Sequence, residues 1–203
     1  MAAARATVWI GGGSGAGKST VARILGERHG RPVVHTDESL HEHATASAGD
    51  PAVDAFVRMS MDERWVDRRP GEMLATFPWF AGAAFDLLLR DLPRGPLVVE
   101  GFRLLPGFVR RFVELGDRAV WLLPTPEQRA RAFAGRAAEG RAFWERTRDP
   151  ARALANVLER DRLFTEVLRD QCAVLGLPVV DVDGSEGAEA VADRVEGLLG
   201  PLG

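Results

Sequence analysis

The segment Gly12-Gly13-Ser14-Gly15-Ala16-Gly17-Lys18-Ser19 spells G-x-x-x-x-G-K-[ST], with Thr20 directly after it. That spacing is chemistry for a nucleoside triphosphate. The glycines let backbone N–H groups turn inward around a phosphate where a Cβ would clash, and the helix that follows adds the attraction of its positive end. Lys18 supplies a compact charge on a flexible stem for the β- and γ-phosphates, and the Ser19 hydroxyl is placed to ligate Mg²⁺. Of the 26 basic residues in the chain, only Lys18 is a lysine and the rest are arginines. A planar guanidinium has a different size and geometry from an ammonium, so the single lysine marks a position that arginine does not fill.

Two acids follow short apolar runs. Asp37 lies in Val33-Val34-His35-Thr36-Asp37-Glu38, and Glu100 closes Leu97-Val98-Val99-Glu100-Gly101. Phosphoryl transfer to a hydroxyl needs a carboxylate that orients the acceptor and takes its proton, and a second group in the magnesium shell. Asp37 fits the first role, with Glu38 as a neighbour able to replace it. Glu100 fits the second, through a water. The competing reading of Asp37 is a cap for a helix beginning near Ser39.

Arginines then crowd one stretch: Arg129, Arg131, Arg136, Arg141, Arg146 and Arg148, with only Glu139 and Glu145 as acids between the first and the last. Fixed cations near a transferring phosphoryl group stabilise its charge, and a closing segment excludes water. Arg136 and Arg141, at the centre of the run, are the ones expected at phosphate, with Gly135 and Gly140 as flexible points. The competing reading is a solvated helical face of i,i+4 pairs. Arg68 and Arg69, near Trp65, are candidates to grip an acceptor, and Arg103 is assigned to the same set. Trp65, Phe77, Trp79, Phe80 and Phe85 supply a core for that region and walls for an acceptor pocket. His41-Glu42-His43 has the residue types of a metal clip, but i,i+2 side chains do not share a helical face and the H-E-x-x-H spacing is absent. Asp183-Gly184-Ser185 reads either as a loop passing the nucleotide base or as a plain turn.

These residues need a scaffold. Apolar runs at Thr7–Ile10, Pro32–His35, Leu97–Glu100, Ala119–Leu123 and Pro178–Val182 alternate with helical spacing over Ser19–His29, Pro106–Leu115, Pro126–Ala138, Pro150–Leu175 and Glu186–Leu199. Continuous apolar runs of that length are buried parallel strands, so the chain predicts a doubly wound α/β sheet with right-handed crossovers. Residues 38–96 are too many for a bare loop and predict a helical, acceptor-binding insertion over the carboxyl edge of the sheet. Residues 126–150 form the lid, and residues 1–203 read as one domain.

Bulk composition excludes several classes. No apolar run is long enough to span a bilayer, and Met1-Ala2-Ala3-Ala4-Arg5 leads straight into a strand without a signal-peptide pattern. Cys172 stands alone, so no internal disulfide forms; a buried small apolar role and a cytoplasmic setting are expected. A net charge of −3 argues against a general nucleic-acid binder.

Taken together, the P-loop, Asp37, Val98-Val99-Glu100-Gly101, Leu123-Pro124-Thr125-Pro126-Glu127 running into arginines, and Val180-Asp181-Val182-Asp183-Gly184-Ser185 resemble the small P-loop kinases of the nucleoside-monophosphate-kinase-like group. That group includes shikimate kinase, gluconate kinase and chloramphenicol phosphotransferase. The resemblance implies a three-layer α/β/α fold with a five-stranded parallel sheet in the order 2-3-1-4-5, an acceptor site over the second strand, and an arginine-rich lid. The expected activity is transfer of the γ-phosphoryl group of ATP, with Mg²⁺, to a hydroxyl of a small molecule: a metabolite, a nucleoside or an antibiotic. Two alternatives stay open, a polynucleotide kinase and a non-catalytic ATP-binding protein. A signalling GTPase is excluded, because the N/T-K-x-D guanine motif needs a second lysine.

Overall fold

The computed structural model describes residues 7–202. Five strands form one parallel sheet in the order β2-β3-β1-β4-β5, as the resemblance implies. They are β1 (Val8–Gly12), β2 (Val33–His35), β3 (Val98–Glu100), β4 (Arg118–Pro124) and β5 (Val179–Val182). Strand β1 is buried along its whole length because it is central, paired to β3 on one side and β4 on the other. The register sets Ile10 opposite Glu100, and His35 opposite Glu100 on the far side of β3. The carboxyl ends of β1, β2 and β3 therefore meet at one edge, where ligands of open α/β sheets collect.

Alternate strand residues point to opposite faces, and each face has its own helices. Val8, Ile10, Val98, Val120, Leu122 and Val180 pack with the inner sides of α1 (Lys18–His29) and α10 (Ala188–Leu199). Trp9, Val99, Trp121 and Leu123 pack on the other face against α7 (Pro106–Glu114) and α9 (Pro150–Leu175). Two buried indoles are satisfied there, Trp121 donating to the Leu104 carbonyl (2.9 Å) and Trp9 to Asp117 (2.8 Å). Cys172 is buried on α9, and burial pushes its thiol up to about 12, which suits a packing residue rather than a nucleophile.

The insertion between β2 and β3 is helical throughout: α2 (Leu40–Ala46), α3 (Pro51–Arg58), α4 (Met61–Trp65), α5 (Pro70–Thr76), a 3₁₀ turn at Pro78–Ala81 and α6 (Phe85–Asp91). Such short helices depend on their caps. Asp50 accepts from the N–H groups of Ala52 and Val53 ahead of α3, and Ser60 with Glu63 forms a reciprocal capping box on α4. Beyond β4, Thr125 caps α8 (Pro126–Ala138), and a 3₁₀ turn at Phe143–Arg146 leads to α9. Phe56, Trp65, Phe77 and Trp79 from the insertion share one core with Phe133 and Trp144 from the lid region and Val157 of α9. Insertion and lid are thus anchored to the same helix.

Candidate functional site

The glycine-rich segment spans the exit of β1 and the first turn of α1. Gly17, the N-cap of α1, is left-handed (φ 74°), and Gly15 has φ 87°. A Cβ at Gly15 would lie 3.0 Å from the Ala132 methyl and 3.2 Å from the Arg129 backbone, so the loop can approach α8 closely only as glycine. Lys18 is buried and its Nζ donates to the Gly13 carbonyl at 3.0 Å. Burial lowers its pKa, opposed by the negative charges of Asp37 and Glu100.

Glu100 is buried at the end of β3. Its Oε1 accepts from the Ser19 hydroxyl at 2.9 Å and contacts His35 Nδ1 at 2.7 Å. A hydroxyl and a carboxylate side by side form an all-oxygen pair of the kind that suits Mg²⁺. Nothing in the type or spacing of His35 marks it in the sequence; its place beside Glu100 follows only from the β2–β3 register.

Asp37 sits in the turn between β2 and α2. It does not cap α2, whose N-cap is Ser39. Instead its carboxylate feels the charges of Lys18, Glu100 and Arg103. The side chain reaches water in the open cleft, yet protein walls it on several sides. The resulting desolvation raises its pKa; Lys18 opposes the rise, Glu100 adds to it and Arg103 opposes it. Gly101 is required beside it, since a Cβ there would stand 3.1 Å from Asp37 Oδ1 and against the Thr36 hydroxyl.

Two cavities meet at this carboxylate. One, of about 410 Å³, runs from the glycine loop and Lys18 under α8, past Ala132 and Arg136. The other, of about 540 Å³, lies within the insertion, walled by Leu40, Phe56, Trp65, Phe77 and Trp79. Among the described residues, Asp37 is the one that lines both.

The arginines of the run fall into different surroundings. Arg136 and Arg141 line the first cavity. Arg136 is half-buried over the Phe133 ring (4.8 Å), with its pKa lowered by burial, whereas Arg141 is exposed and pairs with Glu139. Arg129, one heptad earlier on α8, is buried beneath the loop and bonded to the Thr165 hydroxyl. Arg131 bonds the Asp183 carbonyl, tying α8 to the loop after β5. Arg148 pairs with Asp62 and Asp67 of the insertion, away from the cavity, and Arg146 is exposed.

The three arginines assigned to the acceptor lie elsewhere. Arg68 donates to the Glu63 and Arg64 carbonyls and to the Thr76 hydroxyl, clamping α4 to α5, and Arg69 is exposed at the start of α5. Arg103 is buried behind the Asp37 turn, bonded to the Thr36 carbonyl, Ser39 and His43. Two arginines that the sequence does not mark stand closer to the second cavity. Arg64 lines it, and Arg160 of α9 lies buried over the rings of Trp65, Phe77 and Phe80, paired with Asp161. Arg160 sits on the inward face of a long amphipathic helix, where periodicity alone predicts an apolar residue. His41 and His43 are split as their spacing requires. His41 lines the second cavity and His43 is buried, and no cluster of metal-ligating side chains occurs among the described residues.

No protein-family model matches the chain, and no curated protein sequence matches it. Among solved structures it is similar to a shikimate kinase from Acinetobacter baumannii in complex with shikimate, at 16% identity and a TM-score of 0.55, covering 95% of this chain and 92% of that one. It is also similar to a gluconokinase from Sinorhizobium meliloti 1021, at 20% identity and a TM-score of 0.53, covering 97% of this chain and 92% of the other. With the 2-3-1-4-5 sheet, these likenesses establish that the chain has a small P-loop kinase-like fold.

Proposed function

We propose that this protein is a phosphotransferase that moves the γ-phosphoryl group of ATP to a hydroxyl of a small molecule held in the insertion. The observation that carries this reading is Asp37 at the junction of the two cavities, with Lys18 on one side and the aromatic pocket on the other. A protein that only binds nucleotide has no need of a carboxylate shared between the phosphate-side cavity and a second one.

In this reading the glycine loop and Lys18 hold the β- and γ-phosphates, and Gly12 to Thr20 contribute the cradle. Ser19 and, through water, Glu100 would hold Mg²⁺, which when bound neutralises phosphate charge. Asp37 accepts the proton of the acceptor hydroxyl as its oxygen forms the new bond to phosphorus and the bridge to the leaving ADP breaks. Arg136 and Arg141 meet the negative charge on the transferring group. The insertion, residues 38–96, is the acceptor-binding part and residues 126–150 the lid of one catalytic domain. The walls of the second cavity are largely apolar and aromatic, which suits an acceptor that carries its hydroxyl on a hydrophobic body.

The test is acceptor-dependent release of ADP across a panel of hydroxylated metabolites, nucleosides and antibiotic alcohols, run beside oligonucleotides. Transfer to a small alcohol that Asp37→Asn abolishes supports the reading. ATP binding without transfer to any acceptor would leave a binding protein, and transfer to oligonucleotide ends with steep salt dependence a polynucleotide kinase.

A further inference from the structure

Behind Asp37 lies a buried polar chain that the transfer chemistry itself does not use. Arg103, in the loop after β3, is almost wholly buried, and none of its hydrogen-bond partners is an acid. Its Nη2 donates to the Thr36 carbonyl and to the Ser39 hydroxyl (2.9 Å), the two ends of the turn that carries Asp37. Its Nη1 meets His43 Nδ1 at 3.0 Å. On the other side of the ring, His43 Nε2 meets Asp91 Oδ2 at 3.0 Å; Asp91, at the half-exposed end of α6, also accepts from Arg90.

Hydrogen-bond polarity sets the state of the ring. A guanidinium has only donors and keeps its charge, so His43 Nδ1 must be bare and must accept. The single ring proton then sits on Nε2 and is donated to Asp91. Among the described bonds, His43 is the only acceptor of Arg103 Nη1. Without it a buried cation loses a hydrogen bond, at the one place where that cation also holds the Thr36–Ser39 turn and offsets the raised pKa of Asp37.

We infer that His43 is a positioning residue for Asp37, acting through Arg103: its bare Nδ1 holds the guanidinium that fixes the turn carrying Asp37. The inference takes the importance of Asp37 from the function proposed above, but its test reads Asp37 directly and needs no acceptor. In nucleotide-free protein labelled with ¹³C-aspartate, His43→Leu is expected to raise the Asp37 pKa by about one pH unit, as the guanidinium that has lost its acceptor moves away from the turn. His43→Asn places an amide oxygen where Nδ1 was, and should leave the Asp37 titration as in wild type. A fluorescent ATP analogue should bind both variants with unchanged affinity. Once an acceptor is known, kcat should fall about tenfold in His43→Leu, the scale of a hydrogen bond to a charged group, with the KM for ATP unmoved.

An Asp37 titration unchanged in His43→Leu overturns the inference, as does a rise in His43→Asn as large as in His43→Leu, which would assign His43 to packing alone. Should His43→Leu not fold, wild-type ¹⁵N histidine spectra decide: His43 must show a protonated Nε2 and a bare Nδ1, and a protonated Nδ1 at neutral pH would refute the chain. Failure to find any acceptor would count against the proposed function and leave these readouts standing.

Discussion

At Asp37 a single side chain carries both the proposed chemistry and its clearest test. Replacing it by Asn keeps the shape and removes the proton acceptor. Transfer is expected to fall by about 10²–10⁴, the usual worth of a positioned general base, while binding of an ATP analogue by calorimetry stays within a few-fold. An Asp37→Asn protein with full transfer would assign the base elsewhere. The direction of the pH dependence follows from the same residue. The base must be ionised to work, and desolvation holds its pKa above the ordinary aspartate range in the free protein. The kcat/KM for the acceptor, which reports the free enzyme, should therefore lose activity on acidification at a higher pH than an unperturbed aspartate near about 3.9 would give. A flat acid limb down to that range would contradict the desolvated geometry. Asp37 and Lys18 are legible in the sequence alone, because a strand end and a lone lysine are local signals. His43 and Arg103 are not. The sequence marks a histidine pair and an arginine, but which of them turns inward depends on how α2 packs on the loop after β3, and two such segments some 60 residues apart share no local pattern.

At the scale of elements, the helical nature of residues 38–96 and 126–150 is readable from length and proline spacing, but not which arginines face phosphate. Phase along α8 separates Arg131 from the other two, and position along the helix separates those. Arg129 and Arg136, seven apart, fall near one face, yet the first lies under the glycine loop and the second reaches the cavity, while Arg131 turns toward Asp183. The lid is held by packing rather than by those charges. Trp144 is buried, with its ring 5.4 Å from Phe133 and 5.3 Å from Phe143, and it shares a core with the insertion. Trp144→Ala is accordingly expected to cost about 3–5 kcal/mol in urea unfolding and to loosen the lid. Replacing Arg148, an exposed partner of Asp62 and Asp67, should leave the midpoint nearly unchanged. If the two variants unfolded alike, the lid would be held by its ion pairs and the aromatic account would fail.

For the molecule as a whole, the parallel sheet brings the ends of β1, β2 and β3 to one edge, so residues from positions 14 to 141 converge on a single cavity. A ligand bound there contacts the glycine loop, the strand ends and α8 together, and has no such site in the unfolded chain. Mass action then ties occupancy to global stability: at a concentration about 100 times its Kd a ligand adds about 2.7 kcal/mol. For a chain of this length each kcal/mol is worth about 2–4 °C, so a non-hydrolysable ATP analogue with Mg²⁺ should raise the melting temperature by about 5–10 °C. The increment should survive in Asp37→Asn, where the proposed base is lost but the glycine loop and Lys18 are intact. It should shrink or vanish in Lys18→Ala, since Lys18 is the buried cation at the centre of the cradle. Removing Mg²⁺ with a chelator should reduce it in wild type if Ser19 and Glu100 hold that ion, since the phosphate charge is then no longer neutralised. A melting temperature that rose equally in wild type and Lys18→Ala would place the nucleotide somewhere other than the loop at Gly12–Ser19. The division of labour between the two cavities, nucleotide on one side of Asp37 and acceptor on the other, would fall with it.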